Sequence, residues 1–558
     1  MILRYLSRAT AGGRDLVWLL DLEWAGQGYH LADRTVSAPF GDDGADRLYA
    51  AGLDMGGTVE DSISLFVTGA QSRAVSMSIN LSGLVNVPER IEQGHDLAAA
   101  RGRLWLWPEG TADRILLVDG LVVDPSYGSE NDPVALTIRE AAFDDRALIP
   151  GADRRVVYGE SGAAGVTWLS SSPAGAPRES VENERYPIII GHPGAGEVWA
   201  APVLSIRSDR WVIAGHHVQA ASVDIRNEDD GTESKFLIDS RSDQLGNPIA
   251  TIDPTSPASG SGWSGDEYKS DAFFARWRAA STTTVDWGDG LPSPFSPYAT
   301  DEGLRGAGDV LRYLLQLSTI RHDAGRLAAI APALNAYKID TAITATPQRR
   351  ISPWAWLADQ LVPLLPISAR TGPDGLYFAL WRFDPTHNDA ALALERGRNA
   401  ERRGGVSYDG VDAVANSIRV DYAPALDTDR PGASVLITGD PTERDHDPDG
   451  HTTYPARLSF SRYGRREREI SAPIVCERAT ALQIGTWIAA AHCAPSRVVE
   501  YVIRADLAAL EPGDVVSLTD DEIALADRLA HVDSIAWAAS GQIGVTLRIF
   551  EGLPTLRS

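Results

Sequence analysis

The chain has 558 residues, a formal net charge of −25 and a hydrophobic content of 44%. This composition is typical of a folded protein with several hydrophobic cores and disfavours intrinsic disorder. The negative charge disfavours nonspecific binding to nucleic-acid phosphates and to anionic membranes. No run of about 18 apolar residues occurs, so stable membrane insertion is not expected. Two cysteines, Cys476 and Cys493, are too few for a disulfide framework and are expected to be free thiols.

Residues 1–152 predict an N-terminal β-barrel domain. Short apolar or alternating runs are separated by turn residues, a spacing that favours an antiparallel barrel or sandwich. We expect the segment Arg114–Val123 to form two extended arms around Asp119-Gly120. The predicted strands are Leu16–Leu22, Ser62–Val67, Ala74–Leu81, Leu104–Trp107, Arg114–Val123 and Val134–Ile138.

Two intervening domains follow in the sequence. Residues 153–300 are rich in Gly, Pro, Ser and Asp and predict an irregular, β-rich middle domain. Residues 301–400 predict an α+β domain, because Asp309, Asp323 and Ser352 are suited to cap successive helices. A hairpin around Asp374-Gly375 is expected to complete this domain.

Residues 401–558 predict a second barrel-like domain that contains one helix. Ser471 is expected to cap this helix, which must end before Pro495. The strand Arg497–Arg504 follows, and Pro512-Gly513 then predicts a type II turn. The final segment predicts a hairpin around Ser540-Gly541, since His531–Trp537 and Ile543–Ile549 flank these turn residues and the second keeps a strict period of two.

One acidic segment is a weak candidate for a metal site. Asp445, Asp447 and Asp449 stand at the alternate positions with which a calcium loop opens. The twelfth position is Ala456, however, where such a loop requires a bidentate Glu. We therefore expect a solvated acidic turn, and the sequence identifies no catalytic residue and no cofactor.

An alternative interpretation is a carbohydrate-active enzyme or a lectin-like β protein. The chain has 15 Trp and 76 acidic residues, which could supply a sugar platform and paired carboxylates. Three of these Trp residues, Trp354, Trp487 and Trp537, lie in periodic apolar segments and are expected in the core.

The order of the C-terminal elements resembles a known family. The segments Ser352–Phe383 and Pro473–Gly552 resemble tail-tip or baseplate hub proteins of long-tailed, siphovirus-like bacteriophages and gene transfer agents. Leu510–Val516 and the final hairpin around Ser540-Gly541 are the closest match. The motif that carries the resemblance consists of Glu511, Pro512, Gly513 and Asp514.

The resemblance implies a structural virion protein without enzymatic activity. The implied fold is multidomain β-rich α+β, with two antiparallel β-barrel-like hub domains, intervening mixed α/β segments and a trimeric ring. The ring would link the tail tube to the tail tip and form the channel for genome ejection, so DNA would pass only in transit. The implied partners are a distal tail protein, a tape-measure protein and a spike or receptor-binding fibre. The implied location is the tail tip of the virion, after assembly in the host cytoplasm.

Overall fold

The protein is β-rich, with several sheets and few helices, which confirms the predicted β-rich α+β class. The architecture comes from a computed structural model of the chain. The structure describes residues 16–41, 45–55, 58–62, 74–112, 114–129, 132–140, 147–149, 185–193, 201–207, 210–215, 217–218, 222–227, 231–242, 248–260, 262, 273–276, 285–286, 304–344, 351–372, 375–383, 385–425, 430–440, 454–503, 510–538 and 543–550.

The strands fall into three groups along the chain. The first group is β1 (Leu16–Trp24), β2 (Gln27–Ala32), β3 (Val36–Ala38), β4 (Arg47–Ala51), β5 (Leu53–Asp54), β6 (Thr58–Ser62), β7 (Ala74–Ile79), β8 (Arg101–Pro108), β9 (Ile115–Ser126) and β10 (Val134–Glu140). The second group is β11 (Ile188–Ile190), β12 (Ala201–Pro202), β13 (Leu204–Arg207), β14 (Arg210–Ala214), β15 (His217–Val218), β16 (Ser222–Asn227), β17 (Glu233–Leu237), β18 (Asp239–Ser242), β19 (Pro248–Ile252), β20 (Phe273–Arg276), β21 (Val285–Asp286) and β22 (Thr341–Ile343). The third group is β23 (Ile367–Gly372), β24 (Gly375–Leu380), β25 (Ala390–Glu395), β26 (Ala400–Tyr408), β27 (Ser417–Ala425), β28 (Arg430–Thr438), β29 (Glu467–Ala472), β30 (Arg497–Ile503), β31 (Val515–Asp520), β32 (Leu525–Ala538) and β33 (Ile543–Ile549).

The helices lie mainly in the second half of the chain. They are α1 (Val87–Glu92), α2 (Ala307–Leu317), α3 (Ala324–Leu334), α4 (Pro353–Trp356), α5 (Tyr454–Tyr463) and α6 (Arg478–His492), and α4 continues into a π-helical turn at Leu357–Leu361. Short 3-10 turns are formed by Leu97–Ala99, Val362–Leu364, His387–Asp389, Val411–Ala413 and Asp521–Ile523. No helix in the described ranges has the length and apolar character required to cross a membrane.

The N-terminal sheet has nine strands in the order β3-β4-β2-β1-β8-β9-β10-β7-β5. The predicted turn at Asp119-Gly120 is wrong, because β9 runs straight through these two residues and pairs with both β8 and β10. Gly120 lies opposite Gly102 in the ladder. A Cβ on Gly102 of β8 would lie 2.5 Å from Ile138 Cδ1 of β10. The glycine therefore leaves room for the side chain of Ile138, which reaches over the intervening strand β9.

The C-terminal sheet has the order β25-β31-β32-β33-β30-β26, and β6 from the first part of the chain also pairs with β32. The predicted hairpin is confirmed as β32–β33, and Ser540-Gly541 itself lies outside the described residues. The predicted strand that begins at Arg497 is also confirmed as β30, in which Val499, Tyr501 and Ile503 are all buried.

The β-rich sheets agree with the two predicted barrel-like domains, but no closed barrel is found among the described residues. At the edges of the N-terminal sheet, β4 and β5 are separated only by Gly52, whose amide donates to the carbonyl of Ala32 and whose carbonyl accepts from the amide of Asn80. In the C-terminal sheet, the edge strands β25 and β26 meet at an isolated bridge between Arg396 and Ala400, and side chains also connect the strands near the two edges. Arg402 of β26 lies 3.5 Å from the carboxylate of Asp520 at the end of β31, and Tyr501 donates a hydrogen bond of 2.8 Å to the same carboxylate. The sheet is therefore curved, with an ion-paired seam.

The two terminal sheets share one hydrophobic core. Side chains of β1, such as Leu20 and Leu22, belong to the same buried cluster as Leu518 of β31 and Leu547 of β33. Val17 and Leu19 lie on the opposite face of β1 and pack in a second cluster with residues of β3, β4 and β8. Alternate residues of β1 thus bury both of its faces.

The remaining segments form two further packed regions. The middle segment contains two four-stranded sheets, β12-β20-β16-β17 and β13-β14-β19-β18, around buried side chains that include Trp211 and Phe236. Another core lies between helices α2–α4, the hairpin β23–β24 and the sheet β28-β27-β29, and α6 packs against this sheet. The predicted helix start at Ser471 is wrong: Ser471 pairs with Asp421 in the parallel strand β29, and α6 begins at Arg478.

Candidate functional site: the turn Glu511–Asp514

The sequence motif Glu511–Asp514 forms a tight turn that leads into β31. The amide of Asp514 donates a 3.0 Å hydrogen bond to the carbonyl of Glu511, and Gly513 has a φ of +97°. Proline at the second position and positive φ at the third are the features of a type II turn, so this prediction is confirmed. The amide of Gly513 donates to the carbonyl of Val532 over 2.8 Å, which fixes the turn against β32.

The side chain of Glu511 is held by Arg326 of helix α3. The two residues form a pair of parallel hydrogen bonds, of which Arg326 Nη2 to Glu511 Oε1 is 2.8 Å. Asp323 caps α3 as predicted and also lies 3.2 Å from Arg326 Nε. The guanidinium carbon lies 4.4 Å from the ring centroid of Tyr377, a cation–π distance. The hydrogen bonds to Glu511 raise the pKa of Arg326, so the charge is held firmly.

A second arginine approaches the turn from strand β23. Arg370 is buried, and its Nη1 donates to the carbonyl of Pro512 over 3.3 Å. Its guanidinium lies 5.8 Å from the ring centroid of Tyr377, on β24. Burial lowers the pKa of Arg370, because a low-dielectric environment disfavours the charged form.

Backbone contacts hold helix α3 and the hairpin β23–β24 together beside the turn. The amide of Asp323 donates to the carbonyl of Leu376 over 2.8 Å, and the amide of Leu376 donates to the carbonyl of Arg321 over 2.8 Å. A Cβ on Gly375 would lie 2.2 Å from that carbonyl oxygen, so the close approach requires glycine. The arginines and Tyr377 are thereby placed on one rigid platform.

The carboxyl group of Asp514 has an altered acidity. Burial raises the pKa of Asp514 to about 6, and the neighbouring charge of Glu511 adds to the increase. The amide of Glu511, which donates to Asp514 Oδ2 over 2.8 Å, and the charges of Arg326 and Arg370 act in the opposite direction.

This arrangement has the properties of a structural joint. Both oxygens of Glu511 accept hydrogen bonds from Arg326, which is 185 positions away in the sequence. A general base or nucleophile must instead present an oxygen to substrate. The geometry connects the α+β segment to the C-terminal sheet.

A buried ion pair joins other parts of the chain. Arg305 donates to both carboxylate oxygens of Asp340, over 2.7 Å and 2.9 Å. The amide of His192 donates to Asp340 Oδ1 over 2.8 Å, and the amide of Asp340 donates to the carbonyl of Ile474 over 2.9 Å. Because these partners come from the middle and C-terminal segments, Asp340 connects both to the helical segment.

The other sequence-predicted residues have varied outcomes. The acidic segment with Asp445, Asp447 and Asp449 lies outside the described residues. Across the ranges that the structure does describe, no group of three or more His, Cys, Asp or Glu residues is arranged to hold a metal ion. Both cysteines are free and buried, as predicted. The predicted core positions of the three tryptophans are confirmed, because all of them are buried: Trp354, Trp487 and Trp537.

The sequence motif did not reveal its partners. Arg326 and Arg370 are two of many arginines in the chain, and only the folded structure brings them to the turn. The one local signal was the Asp323 cap, since its first helical turn contains Arg326.

One segment of the chain matches a family of known proteins. Residues 449–534, which contain α5, α6 and the turn, match a family model described as a putative phage tail protein. No protein with a curated description matches the chain. The expected resemblance is thus confirmed at the level of a phage tail-type protein.

Similar solved structures include two tail proteins and a chain of a virion. The tail protein from Neisseria meningitidis MC58 has 9% identity and a TM-score of 0.36, with 96% of this chain and 97% of that chain covered. The 43 kDa tail protein of prophage MuSo2 from Shewanella oneidensis has 10% identity and a TM-score of 0.36, with 96% and 98% covered. A chain in the virion of a native gene transfer agent particle has 16% identity and a TM-score of 0.21, with 50% and 86% covered.

Proposed function

We propose that this phage tail-type protein is the tail hub, a homotrimeric ring at the distal end of a phage tail. The family match over residues 449–534 is the observation that supports the proposal most directly, because this segment includes the hub-like turn Glu511–Asp514. In this role the ring connects the tail tube to the tail tip and surrounds the channel for genome ejection. The protein acts by shape and assembly, without catalytic turnover.

The joint at Glu511 suits a protein that transmits load. Arg326 and Arg370 attach the α+β segment to the C-terminal sheet at the turn. The shared core connects the N-terminal sheet to the C-terminal sheet. Forces applied to one segment would therefore pass to the others through ion pairs and packed side chains.

The charge of the chain suits a conduit for DNA. A net charge of −25 per chain repels phosphate groups, so DNA in transit would not adhere nonspecifically. The proposed protein partners are the distal tail protein above the ring, the tape-measure protein inside it, and a spike or receptor-binding fibre below it.

The first test is the solution mass by static light scattering at micromolar concentration. We expect three times the 60.0 kDa mass of one chain. A chain that stays monomeric and also fails to bind purified distal tail protein would contradict the hub assignment. Turnover of a polysaccharide, abolished by one Asp or Glu substitution, would instead favour the carbohydrate-active alternative.

A further inference from the structure

Helix α5 presents an unusual surface for so acidic a chain. Between Tyr454 and Arg466 the sequence has four arginines and no acidic residue, whereas the whole chain has a net charge of −25. Arg457, Leu458 and Arg462 are exposed, and Leu458 retains 45% of its accessible surface. We define the basic face as Arg457, Leu458, Ser461 and Arg462, whose spacing of one, four and five positions places them on one side of the helix.

The opposite side of α5 is firmly attached to the protein. Ala456 and Ser459 are buried on that side. A Cβ on Gly439 would lie 2.1 Å from the carbonyl oxygen of Ala456, so the helix approaches the end of β28 as closely as glycine permits. The basic face is therefore presented by a helix that packing holds in place.

A buried amide fixes the C-terminal end of α5. Asn416 Nδ2 donates to Ser459 Oγ over 3.0 Å and to the carbonyl of Gly464 over 2.9 Å, while Asn416 Oδ1 accepts from the amide of Arg466 over 2.9 Å. Gly464 has a φ of +67° and donates to the carbonyl of Phe460, which ends the helix in a left-handed cap. A surface ordered in advance loses less conformational entropy when a partner binds.

We propose that the basic face of α5 is the cationic half of a head-to-tail interface between copies of this chain. This inference rests on the proposed homotrimer and adds the surface through which the copies meet. Chains that each carry a charge of −25 repel one another, and local positive charge at the contact would offset this repulsion. The acidic surface of the neighbouring copy is the occupant that this charge recognises.

Symmetry favours a ring over a two-fold dimer. In a two-fold interface a central patch meets its own copy, which would place Arg457 and Arg462 against the same two arginines. In a ring each contact joins two different patches, so a cationic face can meet an anionic one. Leu458 supplies an apolar contact beside the arginines, and Arg is a residue type enriched in protein interfaces.

The test compares the wild-type protein with the double variant Arg457→Glu and Arg462→Glu in light scattering at micromolar concentration. We expect the variant to have the mass of one chain where the wild type has the mass of three, and to need at least a tenfold higher concentration to associate. The matched control is Arg398→Glu with Arg528→Glu, which makes the same charge change away from α5 and should keep the threefold mass. Wild-type association should also weaken when NaCl is raised from 50 to 500 mM.

The positioning of the helix is tested separately by Asn416→Ala. This variant keeps every charge of the basic face, and we expect weaker association with a wild-type circular dichroism spectrum. Asn416→Asp keeps the acceptor for the amide of Arg466, so its association should weaken less than that of Asn416→Ala.

Each contrary outcome has a distinct meaning. A threefold mass for the Arg457→Glu, Arg462→Glu variant would overturn the inference and leave the hub assignment intact. A wild type that is monomeric at every concentration would overturn self-docking, and the hub assignment would then depend on binding to distal tail protein. Wild-type binding to a short DNA duplex at 150 mM NaCl, lost in the variant with the mass unchanged, would assign the basic face to nucleic acid instead.

Discussion

At the scale of single residues, the number of hydrogen-bond donors around a buried carboxylate influences its pKa. Asp21 accepts hydrogen bonds from His30 Nδ1 over 2.8 Å, Tyr49 over 2.9 Å, Trp105 over 2.9 Å and Arg114 over 3.2 Å. Burial alone would raise the pKa of Asp21, but the hydrogen bond from His30 and the charge of Arg114 outweigh it, and the pKa is lowered.

Asp514 has the opposite balance. Its principal hydrogen-bond donor is the backbone amide of Glu511, and the nearby carboxylate of the same residue repels its charge. Burial therefore dominates, and the pKa of Asp514 is raised to about 6. The folded state binds more protons than the unfolded state between pH 4 and 6, so ionisation of Asp514 lowers the free energy of unfolding as the pH rises through this range.

Asp514→Asn should remove this decrease in the free energy of unfolding at higher pH. The side-chain amide oxygen of Asn can still accept the hydrogen bond from the backbone amide of Glu511. We expect the melting temperature of the variant, relative to the wild type, to increase as the pH is raised from 4 to 7. The difference between variant and wild type is the useful quantity, because His492 and His531 have pKa values lowered to about 4 by burial and give the wild type an opposing slope.

Differential scanning fluorimetry at half-unit pH steps would measure this effect. The control is Asp412→Asn, which makes the same chemical change at an exposed position away from the turn. A difference between Asp514→Asn and wild type that stays constant with pH would show that Asp514 does not titrate abnormally.

At the scale of elements, the packing of α6 depends on a small residue at its centre. A Cβ on Gly485 would lie 2.7 Å from Ile437 Cγ1 of β28 and 3.3 Å from Val420 Cγ2 of β27. The helix therefore lies close against the sheet β28-β27-β29, and that sheet explains why the chain between Glu467 and Ala472 is extended. Pairing with β27 overrides the helix start that Ser471 suggested.

Gly485→Leu should separate α6 from the sheet. Overpacking of this kind costs about 1–3 kcal/mol, even though leucine has a higher helix propensity than glycine. We expect a lower melting temperature and increased susceptibility to limited proteolysis. Gln483→Leu introduces the same side chain on the exposed side of α6 and should leave both properties near the wild type. Equal stability of the two variants would contradict the close packing.

At the scale of the whole molecule, the first and last parts of the chain fold against each other. Residues of β1 and β8 share a buried cluster with residues of β30–β33. Strand β6 also pairs with the second half of β32, where Val59 lies opposite Trp537. The division into domains at residues 1–152, 153–300, 301–400 and 401–558 stays a prediction. The shared cluster and the β6–β32 pairing connect the first of these segments to the last.

A split chain would test this dependence. Tagged residues 1–152, produced together with residues 153–558, should co-purify at equal stoichiometry, because separation would expose apolar side chains of both sheets to water. Residues 153–389, which lack β25–β33, serve as the control and should not be captured. A fragment 1–152 that is stable alone and captures neither partner would show that the shared core contributes little.

The sequence by itself determined the elements whose causes lie within a few residues. Pro512-Gly513 specified the turn, Asp323 specified the start of α3, and the strict alternation in Ile543–Ile549 specified a strand with one buried face. In each of these cases the backbone preference or the side-chain period is local, so distant contacts did not change the outcome.

Only the tertiary structure decided which elements meet. The pairing of Glu511 with Arg326, the entry of β6 into the C-terminal sheet and the extended course of β9 each depend on partners far away in the sequence. A carboxylate attracts any of the chain's arginines equally well until packing fixes the distances between them. The closure of a sheet also depends on contacts between distant strands. The sequence predicted barrel-like domains, whereas the structure has two sheets joined by a common core.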